Sequence, residues 1–288
     1  MATVVELQNR MEPWFELDKV VMVTGASSGL GWEFCLDLAE SGCRVIAAAR
    51  RADRLESLCS KINEIFPQTA YGEPVRACPT AVAVELDISA SEKVIASRVN
   101  EAWDIFGKID VLINNAGARE RLHGPLDLSC EEWDKIIRTN QTGTWLVSKC
   151  VCRRMREARL GGSIINVSSL AALDRVVFHG GHAYAASKAA LNTITKVMAM
   201  ELGEYNVRVN AIVPGLLKSE ITRELMQKSS LENAIVRTVP LHSFGTVNSA
   251  LGSIVKYLIY ESPQYVTGNV FIVDGGYTLA GVPIFSSL

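Results

Sequence analysis

Tyr184-Ala-Ala-Ser-Lys188 places a phenol and an ammonium four residues apart. On a helix that spacing puts both on one face, one turn from each other. A phenol titrates near pH ~10, too high for ready proton exchange at neutral pH, and a nearby ammonium favours the phenolate. The pair follows Ser163-Ile-Ile-Asn-Val-Ser168-Ser169, a strand-like run whose terminal hydroxyls can reach the same space. Together these residues make a plausible site for moving a proton on and off an oxygen.

Positioning such groups takes a scaffold, and the chain alternates strand-like and helix-like segments. That order implies a parallel sheet covered on both faces, of the doubly wound α/β, Rossmann type. Val20-Val21-Met22-Val23 is a short apolar run, as expected of a strand buried on both sides. Further strands are expected at Arg44–Ala49, Ala81–Leu86, Ile109–Ile113, Ser163–Val167, Val207–Val213 and Asn269–Val273, seven in all. Helical spacing of Leu30, Phe34 and Leu38 precedes Gly42, which suits a helix C-cap. Glu92–Phe106 is amphipathic, and one long helical segment is expected from Cys130 to Arg159. The whole of 1–288 reads as a single domain, with 1–17 an N-terminal extension. Phe66–Thr80, with three prolines and a glycine, reads as a surface loop. The stretch 216–247 is an excursion beyond a strand's carboxyl end, where open α/β sheets bind ligands.

Thr24-Gly25-Ala26-Ser27-Ser28-Gly29-Leu30-Gly31 sits between the first strand and its helix. Glycines there let backbone approach a pyrophosphate, and the helix N-terminus supplies amides and a favourable dipole. The bland alternative is a turn of small residues. The second strand ends Ala48-Ala49-Arg50-Arg51, with no acid to hold a ribose 2′-hydroxyl. Two guanidiniums suit the 2′-phosphate of NADP(H), mostly through Arg50. Arg51 and Arg54 could instead solvate a helix start. After the third strand, beside Ile88, Asp87 either accepts from an adenine amino group or caps the helix after Ser89.

Composition narrows the class. Apolar residues are 48%, charged residues 21% and the net charge is −2 over 288 residues, so no bulk basic field draws the chain to nucleic acid or anionic lipid. The seven cysteines show no zinc spacing, and no metal site is expected. No apolar run approaches the ~18 residues of a membrane span. Met1–Trp14 lacks the apolar core of a signal peptide, and a cytoplasmic protein is expected. The final Ser286-Ser287-Leu288 departs from a peroxisomal address at its middle position.

With these motifs the chain resembles the short-chain dehydrogenase/reductase family, single-domain type. The matches run in family order from about residue 18 to 276: Thr24–Gly31, Asn114-Asn-Ala-Gly117, Asn140-Gln-Thr-Gly143, Ser169 with Tyr184-Ala-Ala-Ser-Lys188, Pro214-Gly215 and Asp274-Gly-Gly276. Within the family it is similar to plant 3-oxoacyl reductase-like and tropinone reductase-like members. The resemblance implies that Tyr184 is the general acid, that Lys188 lowers its pKa and holds the nicotinamide ribose, and that Ser169 bonds the substrate oxygen. It implies that Asn140 holds a water linking Lys188 to solvent. Asn114, Gly117, Leu217 and Ser219 would line the cofactor.

Two departures stand out. Ser169 precedes Tyr184 by fifteen positions, slightly more than the usual gap, which leaves Ser168 as a rival. Position 219 is serine where threonine is common. His179 and His182 flank the tyrosine segment, and loop packing is the expected reading. Arg119, Arg121 and His123 read as a solvated loop, though they could meet a polar substrate group. In relatives, helices matching about 130–157 and 183–203 build a dimer face, and tetramers are common. The expected function is NADP(H)-dependent reduction of a fairly apolar ketone or 3-oxoacyl compound. The alternatives are a cofactor-binding cyclase or isomerase, and a non-catalytic regulator or scaffold.

Overall fold

The computed structural model describes residues 19–66, 79–120, 124–173, 180–215, 217–218, 238–243, 245–260 and 264–279. The N-terminal 1–17, most of 216–247, Cys78, Arg121, His123, His179, Ser219 and Ser286-Ser287-Leu288 lie outside them.

In chain order the strands are β1 (Val20–Thr24), β2 (Arg44–Ala49), β3 (Ala81–Glu85), β4 (Val111–Asn114), β5 (Gly162–Val167), β6 (Val207–Pro214), β7 (Leu217–Lys218), β8 (Gly245–Thr246) and β9 (Val270–Val273). The helices are α1 (Gly29–Glu40), α2 (Ala52–Ile65), α3 (Glu92–Phe106), α4 (Cys130–Ile137), α5 (Thr144–Ala158), α6 (His182–Leu202) and α7 (Ser253–Ile259). Seven strands form one parallel sheet in the order β3-β2-β1-β4-β5-β6-β9. The chain runs outward from β1 to β3, then crosses to β4 on the other side of β1. That reversal opens a crevice at the strands' carboxyl ends.

Period-two alternation makes the two cores. Val21, Val23, Val45, Ala47, Val111 and Ile113 face one side and pack with Phe34, Leu38, Leu55 and Leu258. Val20, Met22, Ile46 and Leu112 face the other and pack with Ile95, Val99, Val147 and Met155. Both layers are buried and apolar, so burial holds helices to each face at ~25 cal/mol per Å².

Two expectations are corrected. The fourth strand begins at Val111 rather than Ile109; at Asp110 the carboxylate takes the Val20 amide, with Oδ2 accepting at 2.8 Å, while the Asp110 amide donates to the Val20 carbonyl at 2.9 Å. The segment expected as one helix over Cys130–Arg159 is divided by a π-helical turn, Arg138–Gly143, between α4 and α5. A Cβ at Gly143 would stand 2.2 Å from the Ile88 carbonyl oxygen, so only glycine lets the helix pass the exit of β3 so closely. Arg138 ties the same turn to the Ser89 carbonyl at 3.0 Å and to the Ala90 carbonyl. Such π turns collect at functional sites, and this one carries Asn140.

Leu217–Lys218 pairs in parallel with Gly245–Thr246, so the 216–247 excursion leaves and re-enters the described fold at adjacent points. Among the described residues, no helix is long and apolar enough to cross a membrane. None of their side chains form a group of three or more His, Cys, Asp or Glu that could hold a metal ion.

Candidate active site

A cleft of about 710 Å³ opens at the carboxyl ends of the strands. At one end lies the glycine-rich turn. Gly25 has φ +69°, and a Cβ there would come within 2.7 Å of the Ala116 Cα. A Cβ on Gly31 would lie 2.4 Å from the Gly25 carbonyl oxygen. The two glycines therefore let β1, α1 and the β4 exit close on one another. Ser28, the N-cap of α1, is extended and makes no side-chain cap, and the first turn holds no acid. The opening amides of α1 are thus left to whatever enters the cleft, and an anion is what they favour.

Gly25, Ser27, Ser28, Leu30, Arg50, Arg51, Asp87 and Ile88 line this end. Arg51 donates to the Ser27 hydroxyl at 3.0 Å and to the Ser28 hydroxyl at 2.7 Å, so it braces the turn as well as solvating the start of α2. Arg50 is exposed and makes no hydrogen bond among the described residues. Asp87 Oδ1 accepts from the Ser89 amide at 2.8 Å and the Ser89 hydroxyl at 2.7 Å, while the N-cap of α3 is Ser91. Asp87 therefore closes a local turn and does not cap the helix. Burial pushes its carboxyl up, but the Ser89 bonds and the Arg50 charge outweigh that and leave it below the ordinary range.

The other end brings together the residues expected to move a proton. Ser169, Tyr184 and Lys188 all line it, with Gly117 and Leu217. Ser169 eases ionisation of the Tyr184 phenol, whereas Ser168 Oγ donates to the Lys188 carbonyl at 3.3 Å. Both serines line the cleft. The buried Lys188 Nζ donates to the Val167 carbonyl at 2.7 Å and lies 5.8 Å from the centre of the Tyr184 ring. Burial pulls its pKa down to about 8. The expected depression of the phenol is not found. Burial raises the Tyr184 pKa, and the Ser169 bond and the Arg119 charge offset only part of the rise.

Several expected residues sit behind the cleft rather than in it. Gly29 and Gly31 pack inside the turn. Asn114 is buried; its Nδ2 donates to Ser148 Oγ at 2.8 Å and Asn166 Oδ1 at 2.9 Å, and the cleft is lined instead by Asn115, Ala116 and Gly117. Asn140 is fully buried and clamps Ala118: Oδ1 accepts from its amide at 2.7 Å and Nδ2 donates to its carbonyl at 2.8 Å. Its Nδ2 also donates to Ser187 Oγ at 3.0 Å. His182 is exposed in the first turn of α6 and does not line the cleft.

Glu120 has no counterpart in the sequence reading. It is buried, and both carboxylate oxygens accept from the Tyr184 amide, at 3.1 and 3.2 Å. It caps the first turn of α6 from 64 positions away. Its negative charge also contributes to raising the phenol.

The short chain dehydrogenase family profile matches residues 19–230. The chain is 31% identical over 261 residues to an L-xylulose reductase of Caenorhabditis elegans, covering 91% of this chain and 96% of the relative. It is 32% identical over 259 residues to the 3-oxoacyl-[acyl-carrier-protein] reductase FabG of Aquifex aeolicus, covering 90% and 96%. A crystal structure of a gluconate 5-dehydrogenase from Burkholderia cenocepacia, in complex with NADP and tartrate, superposes with a TM-score of 0.81 at 25% identity, over 93% of this chain and 98% of the other.

The Glu120 contact yields a test. Glu120→Gln keeps an acceptor for the Tyr184 amide but removes the charge, so the phenol should titrate lower. The alkaline rise of any alcohol-oxidation activity should then begin at lower pH than in wild type. Glu120→Ala leaves the amide without its cap and should cost about 1–2 kcal/mol of stability in denaturant unfolding. A pH profile of Glu120→Gln that overlays the wild type would remove the electrostatic role.

Proposed function

This chain belongs to the short-chain dehydrogenase family, and on that premise we propose that it is an NADP(H)-dependent oxidoreductase interconverting a carbonyl and its alcohol. The observation that carries the reading is the convergence of Ser169, Tyr184 and buried Lys188 in one cleft. The relatives are named for a ketose, an acyl-carrier thioester and gluconate, so they support the reaction type and differ in substrate.

The donor set fits a phosphorylated dinucleotide. Gly25, Ser27, Ser28 and Leu30, with the uncapped amides of α1, would hold the pyrophosphate. Arg50, with Arg51 and Ser28 beside it, would bond the 2′-phosphate. Asp87 and Ile88 would flank the adenine, and Gly117, Leu217 and Ser219 the nicotinamide end. When bound, NADPH supplies a hydride to the carbonyl carbon.

The chain's own groups handle the oxygen. Ser169 and Tyr184 both donate to it, stabilising the charge that develops there. Tyr184 Oη then gives up its proton. A phenol held above its ordinary pKa stays protonated at neutral pH, which suits the direction of reduction. Lys188, buried and titrating at about 8, lies close enough to neutrality to exchange a proton and resupply the phenol. Asn140 fixes Ala118 and Ser187 around this centre, and holding a water that links Lys188 to solvent is part of the proposal. The protein acts as one domain, with 216–247 shaping the substrate pocket. It would assemble as a homodimer or homotetramer through α5 and α6, on which Trp145, Val197 and Met200 stay exposed. A monomer by light scattering at micromolar concentration would exclude the assembly.

Tyr184→Phe should fold and bind NADPH normally yet lose about 10²–10⁴-fold in turnover, because the proton source is gone. Turnover retained in steady-state assays of NADPH consumption would assign the acid elsewhere. Arg50→Ala should weaken NADPH by roughly 10- to 100-fold and leave NADH nearly unchanged in fluorescence titrations. Equal losses for the two would dismiss the 2′-phosphate role.

A further inference from the structure

Arg119 lines the same cleft as Ser169, Tyr184 and Lys188, and its charge acts on the Tyr184 phenol. Its backbone is held on both sides. Ala118 before it is gripped at amide and carbonyl by Asn140, and Glu120 after it is anchored through its carboxylate to the Tyr184 amide. The guanidinium itself is exposed and makes no hydrogen bond or ion pair among the described residues. Glu120, the nearest acid in sequence, is committed to Tyr184 and does not neutralise it. The Arg119 charge is also close enough to the phenol to favour the phenolate.

A guanidinium on a braced backbone, with no hydrogen bond or ion pair among the described residues, can receive a planar or tetrahedral oxyanion with two parallel N–H bonds. The cofactor's 2′-phosphate does not explain this one. That phosphate belongs with Arg50 and Arg51 at the end of β2, whereas Arg119 follows β4 beside the reacting oxygen. We propose that Arg119 is a specificity-determining residue that binds an oxyanion, a carboxylate or phosphate ester, carried by the carbonyl substrate itself. The inference rests on the reductase reading, and it replaces the expected fairly apolar ketone with an anionic one. Placing the guanidinium on a loop braced by Asn140 and Glu120 sets the distance between anion and carbonyl, so substrates would be sorted by that spacing as well as by charge.

Calorimetry separates binding from turnover. The protein, saturated with NADP+, is titrated with pyruvate, acetoacetate and levulinate, with their methyl esters, and with dihydroxyacetone phosphate against dihydroxyacetone. At least one anionic probe should bind roughly 10- to 100-fold more tightly than its neutral partner. Arg119→Gln should erase that advantage while leaving the neutral probe and NADP+ itself within about twofold of wild type, by the size of the lost charged bond. An advantage carried by dihydroxyacetone phosphate alone identifies the oxyanion as a phosphate ester. If no anionic probe outbinds its neutral partner, or if the advantage survives in Arg119→Gln, the proposal is wrong. Arg119-dependent binding without NADPH consumption would uphold the anion site and defeat the reductase reading. NADPH consumption with anionic and neutral ketones alike, both unchanged by Arg119→Gln, would do the reverse.

Discussion

An ammonium held inside the protein is the constraint on which the site depends. Lys188 is buried, and a charge there is tolerable only with a strong hydrogen-bond partner or by shedding its proton. The structure uses both routes. The Val167 carbonyl, at the last residue of β5, accepts from Nζ, and the pKa falls to about 8. Because that partner is a strand terminus, the end of β5 and the first turns of α6 must stay in fixed register. Ser168 reinforces the same seam by donating to the Lys188 carbonyl.

The demand for satisfied polar groups spreads outward from there. Asn166, on β5, accepts from Asn114 on β4 and donates to Thr195 on α6, while Asn114 also donates to Ser148 on α5. Asn140 joins the π turn to Ala118 and to Ser187. Every link crosses between elements, and an unpaired buried amide would cost about 1–3 kcal/mol. This polar spine therefore locks α5, β4, β5 and α6 relative to one another directly beneath the cleft. The apolar cores on either face hold the layers together; the spine sets where Ser169, Tyr184 and Lys188 meet.

Much of this was legible in the sequence because it depends on local spacing. Tyr184 and Lys188 declare themselves by helix geometry, and the turn between β1 and α1 by its glycines. The strands are visible as apolar runs with β-branched residues. What stayed hidden depends on distant partners. Glu120 reads as one acid in a polar loop until the fold brings it to an amide 64 positions away. The π turn at Asn140 exists because Gly143 slides against Ile88, a contact no periodicity encodes. The sign of the Tyr184 shift depends on burial competing with charges whose positions only the fold supplies. Asn114 was within reach of pattern alone: β4 alternates, Val111 and Ile113 face one core, and Asn114 shares the inward face of Leu112.

These parts amount to a polar floor under a cleft with uncapped helix amides and arginines at one end and Ser169, Tyr184 and Lys188 at the other, and the proposed hydride transfer to a carbonyl rests on that arrangement. The most direct measurement uses NADPH deuterated at C4 of the nicotinamide, incubated with the protein and a ketone panel in ordinary water, with the alcohols analysed by mass spectrometry. The account predicts alcohol carrying one deuterium on the carbinol carbon and a solvent-derived proton on oxygen. NADPH binding with no deuterated alcohol from any ketone, or carbinol hydrogen drawn from water, would contradict it.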